Sequence, residues 1–223
     1  MRVIAGRQIP ETLEELLDPV RTTILLIDCQ NDFAHADGLF GRSGVDLSLI
    51  TERLPAIRAF VEEVRSAGLP LIHLHQQTLP QGASDSAAWL RFKTRSGRDP
   101  AYCLPGTWGC AAVEGLEPRA GEEVVVKFRP DGFLHTPLEM MLRAAGIETL
   151  VVCGLFTEGC VESTVRSASY RDFFVVVAED AVASAVPQLH EGSLALMRAR
   201  YPLHDSDEIL AALARRQATA NKT

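Results

Sequence analysis

Thr149-Leu150-Val151-Val152-Cys153-Gly154-Leu155-Phe156-Thr157-Glu158-Gly159-Cys160-Val161-Glu162-Ser163-Thr164 decides how this chain is read. Its first five residues form a short, largely apolar run, as in a strand buried on both faces of a parallel sheet. A tight turn follows, and then a helical segment from Glu158 to Tyr170. A strand that turns sharply into a helix delivers Cys160 to the carboxyl edge of the sheet. Backbone N–H groups at the helix start favour the thiolate there. Taken alone, Cys160 also reads as a buried packing cysteine, since free Cys is among the most buried residue types.

Two other strand ends change that weighting. Thr23-Ile24-Leu25-Leu26-Ile27 is a second buried run, and it ends at Asp28, ahead of Cys29-Gln30-Asn31-Asp32-Phe33. A carboxylate at the end of a central strand is costly unless it has a task or a partner; a turn or capping Asp is the plainer reading. Glu123-Val124-Val125-Val126 closes on Lys127, which taken singly is a lysine snorkelling from a strand end. Together the three form a chemical set. A thiol near pKa 8.5 needs help at neutral pH. A carboxylate can take its proton and an ammonium can hold the thiolate.

Between the strands lie helical patterns. From Asp46 to Ala67, Leu47, Ile50, Leu54, Ile57, Val61 and Val64 recur at helical spacing, and Gly68 stops the run. Strands are expected at Pro70 to Leu74 and Phe173 to Ala178, and helices at Pro137 to Ala145, Gln188 to Arg200 and Asp207 to Arg215. Strands alternating with helices imply βαβ units, hence an α/β, Rossmann-like three-layer α/β/α sandwich around a mainly parallel sheet. Residues 1–22 read as an amino-terminal arm, 23–217 as a single domain, and 218–223 as a frayed tail. The segment 77–121 is long, mixed and rich in Gly and Pro, as in a functional lid.

The chain has 223 residues, 47% hydrophobic and 23% charged, with a net charge of −7. That balance argues against a nucleic-acid surface. No apolar stretch approaches the roughly 20 residues that a bilayer demands, and no secretory pattern opens the chain. Cys29, Cys103, Cys110, Cys153 and Cys160 make an odd set with no C-x-x-C pair. This points to a reducing, cytoplasmic setting.

The chain resembles the isochorismatase-like cysteine hydrolases. The resemblance rests on Asp28 with Gln30-Asn31-Asp32-Phe33, the strand-end Lys127, and Gly154-x-x-Thr157-x-x-Cys160, and it runs from about Thr23 to Ser184. Within that superfamily it is most similar to ureidoacrylate amidohydrolases and their biuret and carbamoyl-amide relatives. That likeness rests on Pro105-Gly106-Thr107-Trp108, Lys127-x-Arg129-x-x-Gly132-Phe133, Thr136-Pro137-Leu138 and Cys160-Val161-Glu162-Ser163-Thr164. The resemblance implies Cys160 as nucleophile, Asp28 as general base and then acid, and Lys127 as their electrostatic partner. It implies an oxyanion hole from the backbone N–H groups of Phe156 and Cys160, with a cis peptide at Leu155–Phe156. It further implies cleavage of a C–N bond in a small amide, ureido or carbamoyl compound through a thioester, no cofactor, and a homodimer or homotetramer. Relatives often carry a small residue in place of Phe156 and a small apolar one in place of Gly159. The alternative within the family is vinyl ether hydrolysis of the isochorismatase type, against which Cys160 speaks. A non-catalytic binding protein on the same fold is the alternative outside enzymology.

Several further residues are candidates for substrate contact. Arg129, two past Lys127, has donors that suit a carboxylate, or it is a surface arginine. Arg91, Lys93 and Arg95 in the lid could serve alike. Phe33 and Trp108 could wall the pocket or pack the core. Gln30 and Asn31 could orient an amide or satisfy loop backbone. His73-Leu74-His75 resembles a metal pair, but the Asp-x-His and further His of metal-dependent nicotinamidases are missing, so no metal is expected. His75 is then a pocket or loop residue.

Overall fold

The computed structural model describes residues 1–95 and 97–220. The amino-terminal arm folds into a hairpin of β1 (Arg2–Ile4) and β2 (Arg7–Ile9), then the short helix α1 (Leu13–Leu16). Thr12 and Glu15 close a reciprocal capping box on α1. Next come β3 (Thr22–Ile27), α2 (Asn31–Ala34), α3 (Leu39–Arg42), α4 (Ser48–Ser66) and β4 (Leu71–Gln76). The expected lid contains a helix, α5 (Ala87–Thr94), before β5 (Glu123–Lys127) and α6 (Leu138–Ala144). The deciding stretch is β6 (Thr149–Leu155), a π-turn (Thr157–Val161) and α7 (Glu162–Ser169). The chain continues through β7 (Phe174–Ala183), α8 (Pro187–Arg198), β8 (Leu203–His204) and α9 (Ser206–Ala220).

The six strands β3 to β8 lie in the order β5-β4-β3-β6-β7-β8 and pair in parallel throughout. Period-two alternation sends their side chains to two separate cores. On one face Ile24, Leu26, Val151, Cys153, Val176 and Ala178 pack with Ile50, Ile57, Phe60 and Val61 of α4 and Ile209 and Leu213 of α9. On the other, Leu25, Ile27, Leu150, Val152, Val175 and Val177 pack with α6, α7 and α8 through Leu138, Leu142, Val165, Leu194 and Met197. A sheet covered on both faces explains why its central strands are continuous apolar runs. This is the three-layer α/β/α fold.

Three boundaries differ from expectation for local reasons. β4 runs two residues further than its apolar run, because His75 and Gln76 stay in register with Val126 and Lys127. α5 forms inside the lid because Ser86 caps it, accepting from Trp89 N. α9 continues past Arg215 to Ala220: Arg215 bonds Glu14 and Gln217 donates to Ala67 O, which anchors its later turns. Residues 221–223 of the expected tail lie outside the described residues.

Gly154 sets how closely β6 approaches β3. It has φ 120°, opposite Ile27, and an added Cβ would stand 2.2 Å from the Ile27 carbonyl oxygen. No flexible side chain is available to give way there. Gly154→Ala is therefore expected to lower stability by about 3 kcal/mol, combining overpacking with a backbone angle that L-residues avoid. Urea denaturation of the two proteins measures it; equal midpoints would show that the two strands separate freely.

Candidate active site

Asp28 ends β3 in the left-handed region at φ 53°. Its N–H donates to Leu74 O while its own carbonyl accepts from Gln30 N, so the backbone is pinned from both sides. The fully buried carboxylate accepts from Gln76 N at 3.0 Å through Oδ1 and from Lys127 Nζ at 2.8 Å through Oδ2. Lys127, also fully buried, donates in addition to Gln76 Oε1 at 3.2 Å and to Arg129 O at 3.3 Å. Burial works against its ammonium, but the Asp28 carboxylate and the Cys160 sulfur outweigh that and hold its pKa above the usual lysine value. A buried charge pair with every donor engaged is the condition under which such a pair persists.

Cys160 comes to the same point from the other side. Its sulfur is close enough to Asp28 and Lys127 for both charges to act on it. Burial, and then the negative charge of Asp28, push the thiol well up; Lys127 pulls the other way without overturning them. Lys127, the cation expected from the sequence to hold a thiolate, is in place, and burial of the sulfur opposes it.

The turn before Cys160 is built differently from what the resemblance implies. The Leu155–Phe156 peptide is trans, as are all peptide bonds among the described residues. The chain reverses instead through Gly154 at φ 120° and Phe156 at φ 62°, ψ 68°. The Phe156 carbonyl accepts from Gly159 N and Val161 N, which winds the π-turn. Thr157 ties this turn to α8: its hydroxyl bonds His190 Nδ1 at 2.7 Å, and its carbonyl accepts from Ser193 Oγ at 3.1 Å. Thr164 accepts from Gly132 N and donates to Cys160 O, anchoring the start of α7.

Of the expected substrate contacts, Phe33 lines the pocket that opens above Cys160. The other four lie elsewhere. Gln30 is fully buried, donating to Gln76 O and Cys110 O and accepting from Gln76 N, so it braces the ends of two loops. Arg129 stacks 4.8 Å from the Trp89 ring and commits its donors to Ser84 O and Phe128 O. Trp108 is 51% exposed and meets His35 edge-on. His75 stands against His73, 5.7 Å between ring centres, and burial followed by the His73 charge lowers its pKa to about 4. His73 in turn bonds Glu122 at 2.8 Å. Among the described residues, no three His, Cys, Asp or Glu side chains gather as metal ligands would. Of the lid cations, Lys93 and Arg95 line the pocket.

The sequence reading gave no separate role to Gln76 or Asp32. Gln76 lines the pocket and binds Lys127. Its signal was its place at the same sheet edge where Asp28 and Lys127 end their strands. Asp32 holds the lid to the core, accepting from Leu39 N at 2.9 Å and Cys103 N at 2.7 Å, with Gly109 packed against its carboxylate. A Cβ at Gly109 would stand 2.2 Å from Asp32 Oδ1, so the Trp108-Gly109-Cys110 turn admits only glycine there.

The isochorismatase domain family matches residues 22–204, the whole sheet and the site with it. The chain belongs to the isochorismatase family. Isochorismatase-like hydrolases share its layers: a family member from Desulfovibrio vulgaris superposes with a TM-score of 0.73 at 28% identity, over 86% of this chain and 98% of that one. The N-carbamoylsarcosine amidase of Thermoplasma acidophilum superposes with a TM-score of 0.65 at 27% identity, over 84% and 97%. In sequence, the ureidoacrylate amidohydrolase RutB of Methylobacterium radiotolerans is 35% identical over 190 residues, 80% of this chain and 74% of that protein. In this isochorismatase-like hydrolase Asp28 and Lys127 stand at the carboxyl ends of β3 and β5, and Cys160 in the turn past β6, along the edge where parallel sheets place ligands. Among the described residues no helix is long and apolar enough to cross a membrane.

Proposed function

We propose that this hydrolase is a cysteine-dependent amidohydrolase cleaving a C–N bond, other than a peptide bond, in a small amide, ureido or carbamoyl substrate. The observation that carries the reading is the buried Asp28–Lys127 pair, Nζ 2.8 Å from the carboxylate, set beside Cys160, which lines the pocket. The names of the relatives, an amidohydrolase and an amidase, support the substrate class.

The Cys160 thiol gives its proton to Asp28 as sulfur attacks the carbonyl carbon. The oxyanion forms against the backbone N–H groups of Phe156 and Cys160, a donor arrangement worth about 3–4 kcal/mol per bond in the barrier. Asp28 passes the proton to the departing nitrogen, and the C–N bond breaks. A thioester remains on Cys160, or a thiocarbamate ester from a ureido group. Water, deprotonated by Asp28, releases the acid and restores the thiol. Lys127 stays charged throughout and balances whichever of sulfur and carboxylate is anionic. We further propose a cytoplasmic homodimer or homotetramer: the cysteines are all free, and Val3 and Ile4 of the hairpin are exposed at 70% and 48%.

Ammonia release from ureidoacrylate, biuret, N-carbamoyl amino acids, maleamate and nicotinamide tests the reading, with rapid-quench intact-mass spectrometry beside it. A turned-over substrate should leave a transient adduct of substrate mass less ammonia on the peptide that carries Cys160. Turnover with no adduct, under conditions where the acid product forms in a burst, would count against covalent catalysis.

A further inference from the structure

We propose that the pocket over Cys160 is shaped for a compound that carries an aromatic ring and a carboxylate in addition to its reacting amide or ureido group. The choice of reacting group rests on the amidohydrolase reading above; the ring and the anion rest on the pocket itself.

Six rings surround a cavity of about 300 Å³. Phe33, Phe40, Tyr102 and Phe156 meet one another at tilted or edge-on angles, with centres 4.9–5.8 Å apart. From α5, Trp89 and Phe92 add a stacked pair 4.7 Å apart, and Phe92 is 48% exposed at the mouth. A catalytic thiol acting on a three- or four-carbon amide needs a few polar contacts and little apolar wall. Six rings along one cavity favour a flat apolar ligand, which gains both burial and edge-to-face contact.

The charged groups at the mouth fall into two kinds. Lys93 is already satisfied, bonding Asp85 at 2.8 Å and Thr78 at 2.9 Å. Arg95 and Arg98 are not: among the described residues neither meets a carboxylate, and their guanidinium groups rest instead on the faces of Phe92 (4.8 Å) and Phe40 (4.1 Å). Stacking on a ring leaves the in-plane N–H donors free for an anion, and a planar fork of donors suits a carboxylate. Glu158, two residues before Cys160, also lines the pocket, with a buried Oε2 that has no hydrogen-bond partner among the described residues. It repels an anion and accepts from N–H groups. The ligand is thereby given a direction: N–H groups beside Glu158 and Cys160, carboxylate at Arg95 and Arg98, ring between the aromatic walls. The Trp89 indole N–H, also buried and without a partner, offers one further donor.

Calorimetric titration of the intact protein with 3-phenylpropionate, propionate and 3-phenylpropan-1-ol tests this without any turnover. The ring-bearing acid is expected to bind at least about tenfold tighter than either the acid without a ring or the ring without an acid. In the Arg95→Gln, Arg98→Gln double variant the preference of acid over alcohol should fall below about threefold. Propionate binding as well as 3-phenylpropionate would overturn the ring, and an unchanged acid-to-alcohol ratio in the double variant would overturn the anion site. The wild-type ligand series holds whatever the variant does to folding. Failure of the amidohydrolase reading shows separately: it would appear as selective binding of 3-phenylpropionate in a protein that releases no ammonia and forms no adduct.

Discussion

Cys160→Ala should retain no more than about one ten-thousandth of the wild-type turnover, since removing a nucleophile from a concerted set abolishes nearly all of its catalysis at once. The fold should be untouched. Cys160 lies on the pocket floor, where removing one sulfur opens space toward the cavity and leaves none sealed in the core. Asp28 and Lys127 keep their 2.8 Å bond and their contacts with Gln76, so no buried charge is orphaned. Steady-state ammonia release and a thermal melt, measured side by side, separate the two effects. Turnover surviving within tenfold would sink the nucleophile assignment. A collapse of the melt would mean that Cys160 is a packing residue after all. Alkylation gives the same contrast by another route. Cys29, Cys103, Cys110 and Cys153 are all buried, so iodoacetamide should select Cys160 by access. Because burial and Asp28 raise its pKa, the rate should climb with pH above neutrality.

Much of this could be read from the chain because parallel sheets write themselves plainly. Thr23–Ile27 and Thr149–Cys153 carry no alternation, and only a sheet covered on both faces lets such runs persist. Once those strands are parallel, their carboxyl ends share an edge, and Asp28, Lys127 and Cys160 fall together with no further information. What lay hidden was set by contacts distant in sequence. Gln30 looks like a substrate-facing amide and is a strut, because Gln76 and Cys110, 46 and 80 residues away, meet it. Arg129 looks free and is engaged by Ser84, a residue of the lid. Conversely, the segment 77–121 brings Trp89, Phe92, Arg95 and Arg98 to the pocket lining. Its periodicity was too short and too broken by Gly and Pro to show α5. The Phe156 turn was beyond reach for another reason. A left-handed Phe is costly on its own, and only the surrounding bonds of Gly159, Val161 and Thr157 make it the stable choice.

Lys127→Met should lower stability by about 3–5 kcal/mol and turnover by roughly a hundredfold or more, and the two losses should part company in a double variant. The single substitution keeps the four-atom stem and removes only the ammonium, so packing is nearly conserved. It leaves the Asp28 carboxylate fully buried with Gln76 N as its one donor, and it strands Gln76 Oε1 and Arg129 O. An unpaired buried charge is far worse than a missing pair, which is why removing one partner of such a bridge is so damaging. Adding Asp28→Asn removes that charge. Asp28→Asn, Lys127→Met should therefore regain most of the lost stability, short of the two acceptors still without a donor, as read from urea midpoints at constant m-value. Its turnover should fall further, because the amide cannot take the thiol proton. Stability and activity would then move in opposite directions between single and double variants. That opposition is specific to a charge pair kept for chemistry: a pair kept for structure would give two variants whose midpoints and rates rise and fall together.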